Sequence, residues 1–316
     1  RGESESRPSM RFCPAKLRSR ASAHLHSDAA MLKLLLQLDS SRLPSVFDQV
    51  VAYDAGAERI MSEGGVTEGD VRDLVYGCIF TRGPRDMKNT AIFIGGADMA
   101  IGEKLLAAAT KAFFGNFRVS TMLDSNGSNT TAVAAVVKIT RALGGSVKGR
   151  KIVVTAGTGP VGTRAAGLLA RAGADVTITS RKPEDGTRVS EAICKRFGGT
   201  VHAVPLREPA QAADAIKGHD VLLNAGPAGV MLVPRAAWAG KFKVVVDLNA
   251  VPPLGVEGVE VNDDGAQREG AIAFGALGVG NFKMVVHKEC LSRLFTRNDL
   301  VLDAETIEDV AKALMK

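Results

Sequence analysis

The sequence predicts an α/β protein in two parts: an N-terminal α/β substrate domain, then a C-terminal Rossmann-type parallel sheet, with a cleft between them. Three observations predict it. Short apolar runs alternate with helical patterns along the chain. A Gly-x-Gly-x-x-Gly turn near the middle follows one such run and opens a helix. A length of 316 residues with 46% hydrophobic content allows two sizeable cores.

Residues 1–30 are rich in Ser and Arg and lack apolar periodicity. They are read as a disordered extension ahead of Met31, the expected natural start. Arg and Ser enrichment marks some transit peptides, but Glu3 and Glu5 argue against one here.

Residues 31–147 form the first expected domain. Leu32-Lys-Leu-Leu-Leu-Gln-Leu38 reads as a strand, and Val46-Phe-Asp-Gln-Val-Val-Ala-Tyr53 has apolar residues at helical spacing. Thr67-Glu-Gly-Asp70 resembles a capping box ahead of a helix from Val71. Cys78-Ile-Phe-Thr81 and Thr90-Ala-Ile-Phe-Ile94 read as short strands. An alanine-rich helix follows over 100–114, a strand over 117–123, and a helix over 130–143 ended by Gly144-Gly145.

Residues 148–316 form the second. In Lys151-Ile-Val-Val-Thr-Ala-Gly157-Thr158-Gly159-Pro160-Val161-Gly162, an apolar strand stops at glycines and becomes a helix. Gly157 is expected to allow the tight turn, Gly159 to let the backbone approach a pyrophosphate, and Gly162 to let the helix sit close on its strand. The phosphates would rest on the free N–H groups at the helix start, where Pro160 needs none. Further strands are expected at 175–179, 201–204, 220–224, 243–247 and 271–274. The Asn224-Ala225-Gly226 turn after one of them is a cofactor-binding candidate, because ligands bind beyond the carboxyl ends of such strands. A final amphipathic helix over 303–315 is expected to pack back across the domains.

The end of the second Rossmann strand bears on the cofactor. An NAD site places Asp or Glu there to bind the ribose 2′-hydroxyl. This chain has Ser180-Arg181-Lys182, and no acid until Glu184. A hydroxyl and two cations suit a 2′-phosphate, so NADP is favoured, with NAD still possible.

Bulk properties exclude other classes. Residues 1–30 carry six of the basic and three of the acidic residues, so half of the +6 net charge lies there. Aromatics are 5%, with no basic–aromatic stripe, so no nucleic-acid partner is expected. No apolar run is long enough to span a bilayer, so no membrane partner is expected. Cys13, Cys78, Cys194 and Cys290 are scattered, which indicates neither a metal site nor a disulfide framework. A reducing cytoplasm is the expected location. A homo-oligomer is expected, although no sequence feature sets its size.

Candidate substrate-side residues follow strands of the first domain. Asp124-Ser125-Asn126-Gly127-Ser128-Asn129-Thr130-Thr131 is a dense polar array, expected to face the cleft; the competing reading is a helix-capping loop. Asp98 is a ligand candidate or simply an N-cap, and Asp39 is equally ambiguous. Lys283 is expected near the start of a helix, where the dipole disfavours a cation. By itself it reads as an exposed surface lysine. His202, His219 and His287 stand alone, so no histidine acid–base role is expected.

These segments together resemble the NAD(P)-dependent methylene-tetrahydromethanopterin dehydrogenases, relatives of the methylene-tetrahydrofolate dehydrogenases. The resemblance runs from Met31 onward. It rests on Pro44-Ser-Val-Phe-Asp48, Tyr53-Asp-Ala-Gly56, Thr81-Arg-Gly83, Thr90-Ala-Ile-Phe-Ile-Gly-Gly-Ala-Asp-Met99, Met122-Leu-Asp-Ser-Asn-Gly-Ser-Asn-Thr-Thr131, Gly145-Ser-Val-Lys-Gly149, Ala156-Gly-Thr-Gly-Pro-Val-Gly162 and Phe274-Gly-Ala-Leu-Gly278. It implies oxidation of a methylene bridge on a reduced pterin to the methenyl cation, with NAD(P)+ accepting hydride, in one-carbon metabolism. It implies a pterin in the cleft, places Lys283 at the family's lysine, and places residues 124–131 at the pterin-side wall. Competing readings are a methylene-tetrahydrofolate dehydrogenase, a cyclohydrolase, and a non-catalytic NADP-binding sensor.

Overall fold

The computed structural model describes residues 31–315, so the expected extension over residues 1–30 lies outside the described residues. In chain order, the first lobe contains β1 (Leu34–Asp39), α1 (Val46–Asp54), β2 (Arg59–Gly64), α2 (Glu68–Ile79), β3 (Thr90–Gly95), α3 (Met99–Ala112), β4 (Ser120–Leu123) and α4 (Ser128–Ala142). The second contains β5 (Lys151–Thr155), α5 (Pro160–Arg171), β6 (Asp175–Ser180), α6 (Pro183–Phe197), β7 (Thr200–Pro205), α7 (Ala212–Ala215), β8 (Val221–Asn224), α8 (Arg235–Trp238), β9 (Val244–Asp247), β10 (Asp264–Arg268) and β11 (Ala271–Phe274). The chain then runs through α9 (Ala276–Arg293), β12 (Val301–Leu302) and α10 (Ala304–Leu314).

The first sheet is parallel throughout, in the order β2-β1-β3-β4-β12. The second runs β7-β6-β5-β8-β9-β11-β10, with only β10 antiparallel. Both orders are doubly wound, and each reverses at one point: between β1 and β3 in the first, between β5 and β8 in the second. Crevices open at the carboxyl ends of strands at such points.

α4 joins the two layers. Residues 132–137 are all buried apolar residues, because the helix packs on α5, α9 and α10 at once. A helix apolar on every side must be enclosed. It ends as expected, with Gly144 and Gly145 at φ +81° and +96°.

Several expectations need correction. Cys78-Ile-Phe-Thr81 is not a strand; Cys78 and Ile79 end α2, where they extend the buried face of Val71 and Val75 at helical spacing. The strand over 117–123 begins only at Ser120. Strands β2, β10 and β12 had no expectation at all. β2 is an edge strand with five of six residues exposed, so it carries no apolar alternation. β12 crosses back from the second lobe to pair with β4, with Thr121 donating to the Leu300 carbonyl at 2.8 Å.

Candidate active site

The glycine turn after β5 divides its work differently from the expected scheme. The residue with positive φ is Ala156, at +52°. A Cβ on Gly157 would lie 2.5 Å from the Ile178 Cβ, so this glycine lets the turn pack on β6. A Cβ on Gly162 would lie 2.8 Å from the Gly157 Cα, which holds α5 close to its strand as expected. A Cβ on Gly159 would meet nothing nearer than 3.5 Å. The protein does not demand glycine there, and the open space suits a ligand pressed against the backbone. No side chain caps the N–H groups that start α5. This cradle fits a dinucleotide pyrophosphate.

Thr158, Gly159, Pro160 and Val161 line a cavity of about 650 Å3, with Ser180, Arg181, Ala225 and Gly226 on its other walls. Arg207, missed in the sequence, joins them. A side pocket at its edge is lined by Thr158, Ser180, Arg181, Lys182 and Asp185. Ser180 Oγ donates to the Lys182 carbonyl at 2.8 Å, which shapes the turn carrying the two cations. Asn224 is a correction. It is wholly buried, accepting from Thr155 Oγ1 at 2.7 Å and donating to Asp247 at 2.8 Å, so it positions the Ala225-Gly226 turn without lining the cavity.

A second cavity, about 420 Å3, opens at the reversal of the first sheet. Asp39, Ser41, Phe47, Asp48, Gly96 and Lys283 contribute to it, with Asn126, Gly127 and Thr131. Asp39 ends β1 and accepts from the Ser41 and Ser45 N–H groups at 2.8 and 3.0 Å. Its carboxylate and that of Asp48 converge over Gly95. Burial first, aided by Asp124 and Asp39, pushes the Asp48 carboxyl up to about 6 against the opposing pull of Ser45 and Lys283.

The polar array after β4 is mostly turned inward. Asp124, Ser125, Ser128, Asn129 and Thr130 are buried and do not line the cavity. Asp124 accepts from the N–H groups of Asn129 and Thr130 at 2.9 and 3.0 Å and from the Thr130 hydroxyl at 2.6 Å. Ser125 donates to the Gly95 carbonyl at 2.8 Å. The capping alternative therefore describes Asp124 with Thr130, which pair helix-start N–H groups that would otherwise be left buried and unpaired; Asn129 instead donates to the Leu123 carbonyl, and Ser128 Oγ has no partner. Asn126, at φ +53°, and Gly127, at +61°, turn the chain so that Asn126 faces outward. Asn126 lines both cavities. Asp98 is likewise a cap, accepting from Ala100 and Ile101 N–H at 2.8 and 3.1 Å, and it lines neither cavity.

Lys283 is neither exposed nor in the first turn. It is the eighth residue of α9 and is buried, so the dipole argument for its position does not apply. Its Nζ lies 4.6 Å from the centre of the Phe47 ring and 3.2 Å from Nδ1 of His287. Burial lowers its ammonium below the usual lysine range, opposed by Asp124 and Asp48. His287 does not stand alone, as its isolation in the sequence suggested. Its one-turn spacing from Lys283 was the available signal. Asp48 was missed too, although it lies within the Pro44–Asp48 stretch.

Comparison with known proteins bears on this pair of cavities. Residues 46–126 match the family described as methylene-tetrahydromethanopterin dehydrogenase, N-terminal. Two proteins of Methylorubrum extorquens are similar over most of the chain. One, named Bifunctional protein MdtA, is 48% identical over 89% of this chain and 99% of its own length. The other, an NAD(P)-dependent methylenetetrahydromethanopterin dehydrogenase, is 37% identical over 76% of this chain and 84% of its own. The chain belongs to the methylene-tetrahydromethanopterin dehydrogenase family. Within that family's N-terminal match lie β1's neighbour α1 with Phe47 and Asp48, and the turn carrying Asn126. The same fold occurs in the shikimate 5-dehydrogenase of Listeria monocytogenes solved with shikimate and NAD, at TM-score 0.52 and 14% identity over 88% of this chain and 96% of that one. It occurs also in the quinate dehydrogenase of Corynebacterium glutamicum in complex with NAD, at TM-score 0.51 and 14% identity over 89% and 99%. Among the described residues no helix is long and apolar enough to cross a membrane.

Proposed function

We propose that this family member oxidises the methylene bridge of a reduced pterin of the tetrahydromethanopterin type, giving the methenyl cation, with hydride passing to NADP+. The observation that carries the reading is the shared wall at Asn126, which brings the two cavities of the two sheets together. In this reading residues 31–147 hold the pterin and residues 148–316 the cofactor. NADP supplies the hydride acceptor. The N–H groups of the Thr158–Val161 turn take its pyrophosphate, Ser180, Arg181 and Lys182 its 2′-phosphate, and Ala225 and Gly226 flank the rest of the cleft.

On the pterin side, Asp39 and Asp48 offer acceptors for the N–H edge of the ring, and Phe47 offers an apolar face. Lys283 donates a hydrogen bond to a substrate oxygen. The bridging carbon lies between two nitrogens whose lone pairs stabilise the developing cation, so alignment matters more than a strong base. Positioning of this kind supplies roughly 7–11 kcal/mol of barrier reduction in favourable cases.

The reading includes a role in one-carbon metabolism and a cytoplasmic location. It includes a homo-oligomer, which the exposed aromatic group of Tyr76, Phe80, Phe114 and Phe117 supports. The test is NADP+ reduction by purified enzyme with methylene-tetrahydromethanopterin, followed at the reduced-nicotinamide band and repeated with methylene-tetrahydrofolate and with NAD+. Reduction with the folate alone would transfer the assignment to the folate enzymes. NADP binding without turnover on any methylene pterin would leave a sensor.

A further inference from the structure

We propose that His287 is a positioning residue, whose Nδ1 holds the Lys283 amine at the wall of the substrate cavity while its Nε2 takes no part. The inference rests on the functional reading above for the meaning of Lys283, but its geometry stands apart from it.

The two residues sit one helical turn apart on α9, on the same face. The Nζ–Nδ1 separation of 3.2 Å is the hydrogen bond recorded for the lysine among the described residues. His287 is wholly buried. Its ring stacks on Phe93, with centroids 5.8 Å apart and planes at 22°, and meets Phe47 at 6.3 Å. The imidazole is thus fixed between two aromatic rings, one of which also faces the Lys283 ammonium.

The charges around the pair come from three other elements. Asp48 faces Lys283 from α1, with Asp39 at the end of β1 behind it, and Asp124 faces both residues from the turn after β4. Asp124 lies 4.0 Å from His287 Nδ1, and its oxygens already serve the start of α4. It supplies a field, not a hydrogen bond. Burial, more than any charge, keeps His287 neutral.

In its charged form Lys283 can only donate, so in this pairing Nδ1 is the bare nitrogen and the ring proton sits on Nε2. Nε2 is buried and has no partner. An unpaired buried donor is unfavourable, and an apolar side chain of similar size would avoid it. What distinguishes histidine from such a side chain here is the acceptor at Nδ1. With one donor of Lys283 tied to Nδ1, the others are directed by the aromatic walls toward the cavity.

Asparagine and glutamine separate the two nitrogens. His287→Asn keeps an acceptor near the Nδ1 position and deletes Nε2. His287→Gln moves the polar group toward the Nε2 position, and His287→Leu removes both. All three are compared with wild type for kcat, KM and NADP dissociation. Titration of Lys283 is followed separately by NMR of its side chain in the cofactor-bound protein without pterin.

The Leu and Gln variants are expected to lose kcat by on the order of tenfold to a hundredfold with NADP affinity unchanged. Their Lys283 should titrate at lower pH, because a hydrogen bond to the charged form is gone. The alkaline limb of kcat/KM should move with it. Asn should restore both within about threefold. If Leu does not fold, the Asn–Gln contrast carries the same test. Equal Lys283 titration in all variants, or Asn as impaired as Gln, would overturn the proposal. Failure of wild type on every methylene pterin would instead defeat the functional reading, and the titration would still judge the role of His287.

Discussion

Arg164 on α5 donates to the carboxylate of Glu103 on α3, an ion pair that joins the two lobes. Arg196 on α6 reaches the same oxygen and also pairs with Glu305 on α10 at 3.1 Å. Arg164 is buried, its Nε has no partner, and burial lowers its guanidinium against the pull of Glu103.

Removing Glu103 therefore leaves a buried charge without its counterpart. Glu103→Ala should destabilise the protein by roughly 1–3 kcal/mol, since Arg164 is buried while the Glu103 side chain is partly exposed. Asp73→Ala, which breaks the exposed pair with Arg72, should leave stability close to that of wild type. Urea unfolding of the two variants gives the comparison, and equal losses would contradict the structural role of the Arg164–Glu103 pair.

The two central glycines of the turn should separate stability from binding. Gly157→Ala drives a methyl into Ile178 and should cost about 1–3 kcal/mol. Gly159→Ala meets no protein atom in close contact and should stay within about 0.5 kcal/mol of wild type while raising the KM for NADP. Thermal unfolding and NADP kinetics on the same preparations distinguish them. A destabilised Gly159→Ala with normal NADP binding would reverse the assignment.

Arg181→Ala should raise the KM for NADP by about tenfold to a hundredfold, as expected for a charge-assisted hydrogen bond to the 2′-phosphate. The KM for NAD should hardly move. The NADP effect should shrink in high salt. A matched change for both cofactors would place Arg181 elsewhere in the site.

Lys283→Met should lower kcat by on the order of a hundredfold with NADP affinity near normal. Single-turnover kinetics with the methylene pterin would show whether the hydride step itself has slowed. An unchanged kcat removes Lys283 from the mechanism.

Asp48 makes stability depend on pH in a defined direction. Its carboxyl titrates at about 6 in the folded chain against 3.8 for the ordinary group. Below the lower value both states hold the proton and nothing is lost. As pH rises to about 6 the unfolded chain ionises first, and stability falls by roughly 2 kcal/mol once solvent screening is allowed for. Asp48→Asn abolishes this titration, so its advantage over wild type should appear between about pH 4 and 6 and level off above. Unfolding measured at several pH values would reveal it; a constant difference would mean that Asp48 is ionised throughout.

The Rossmann part was legible because its signal is local: strand, turn and helix lie within Lys151–Arg171, and the central strands β5, β8 and β9 are buried apolar runs. β2 and β12 were not, since partners rather than composition make them strands. At the site, the polarity of the stretch from Asp124 was visible in the sequence but its direction was not. Capping needs and ligand needs call for the same side chains, and only Asn126, Gly127 and Thr131 of that stretch line the cleft. Asp48 acquires its character from burial and from neighbours far away in the chain, which no spacing rule encodes; for His287 the one-turn spacing from Lys283 was visible, but its burial against Phe93 and Phe47 was not.

The return of β12 to β4 interleaves the two lobes along the polypeptide. During synthesis the first sheet lacks its outer strand until the chain has been made as far as Leu302. Its central helix α4 waits as well, for α5, α9 and α10. A chain severed near residue 147 would therefore yield not a portable domain but a sheet with an open edge and an uncovered greasy helix. Grafting this lobe elsewhere would call for a circular permutation that brings residues 276–315 next to it.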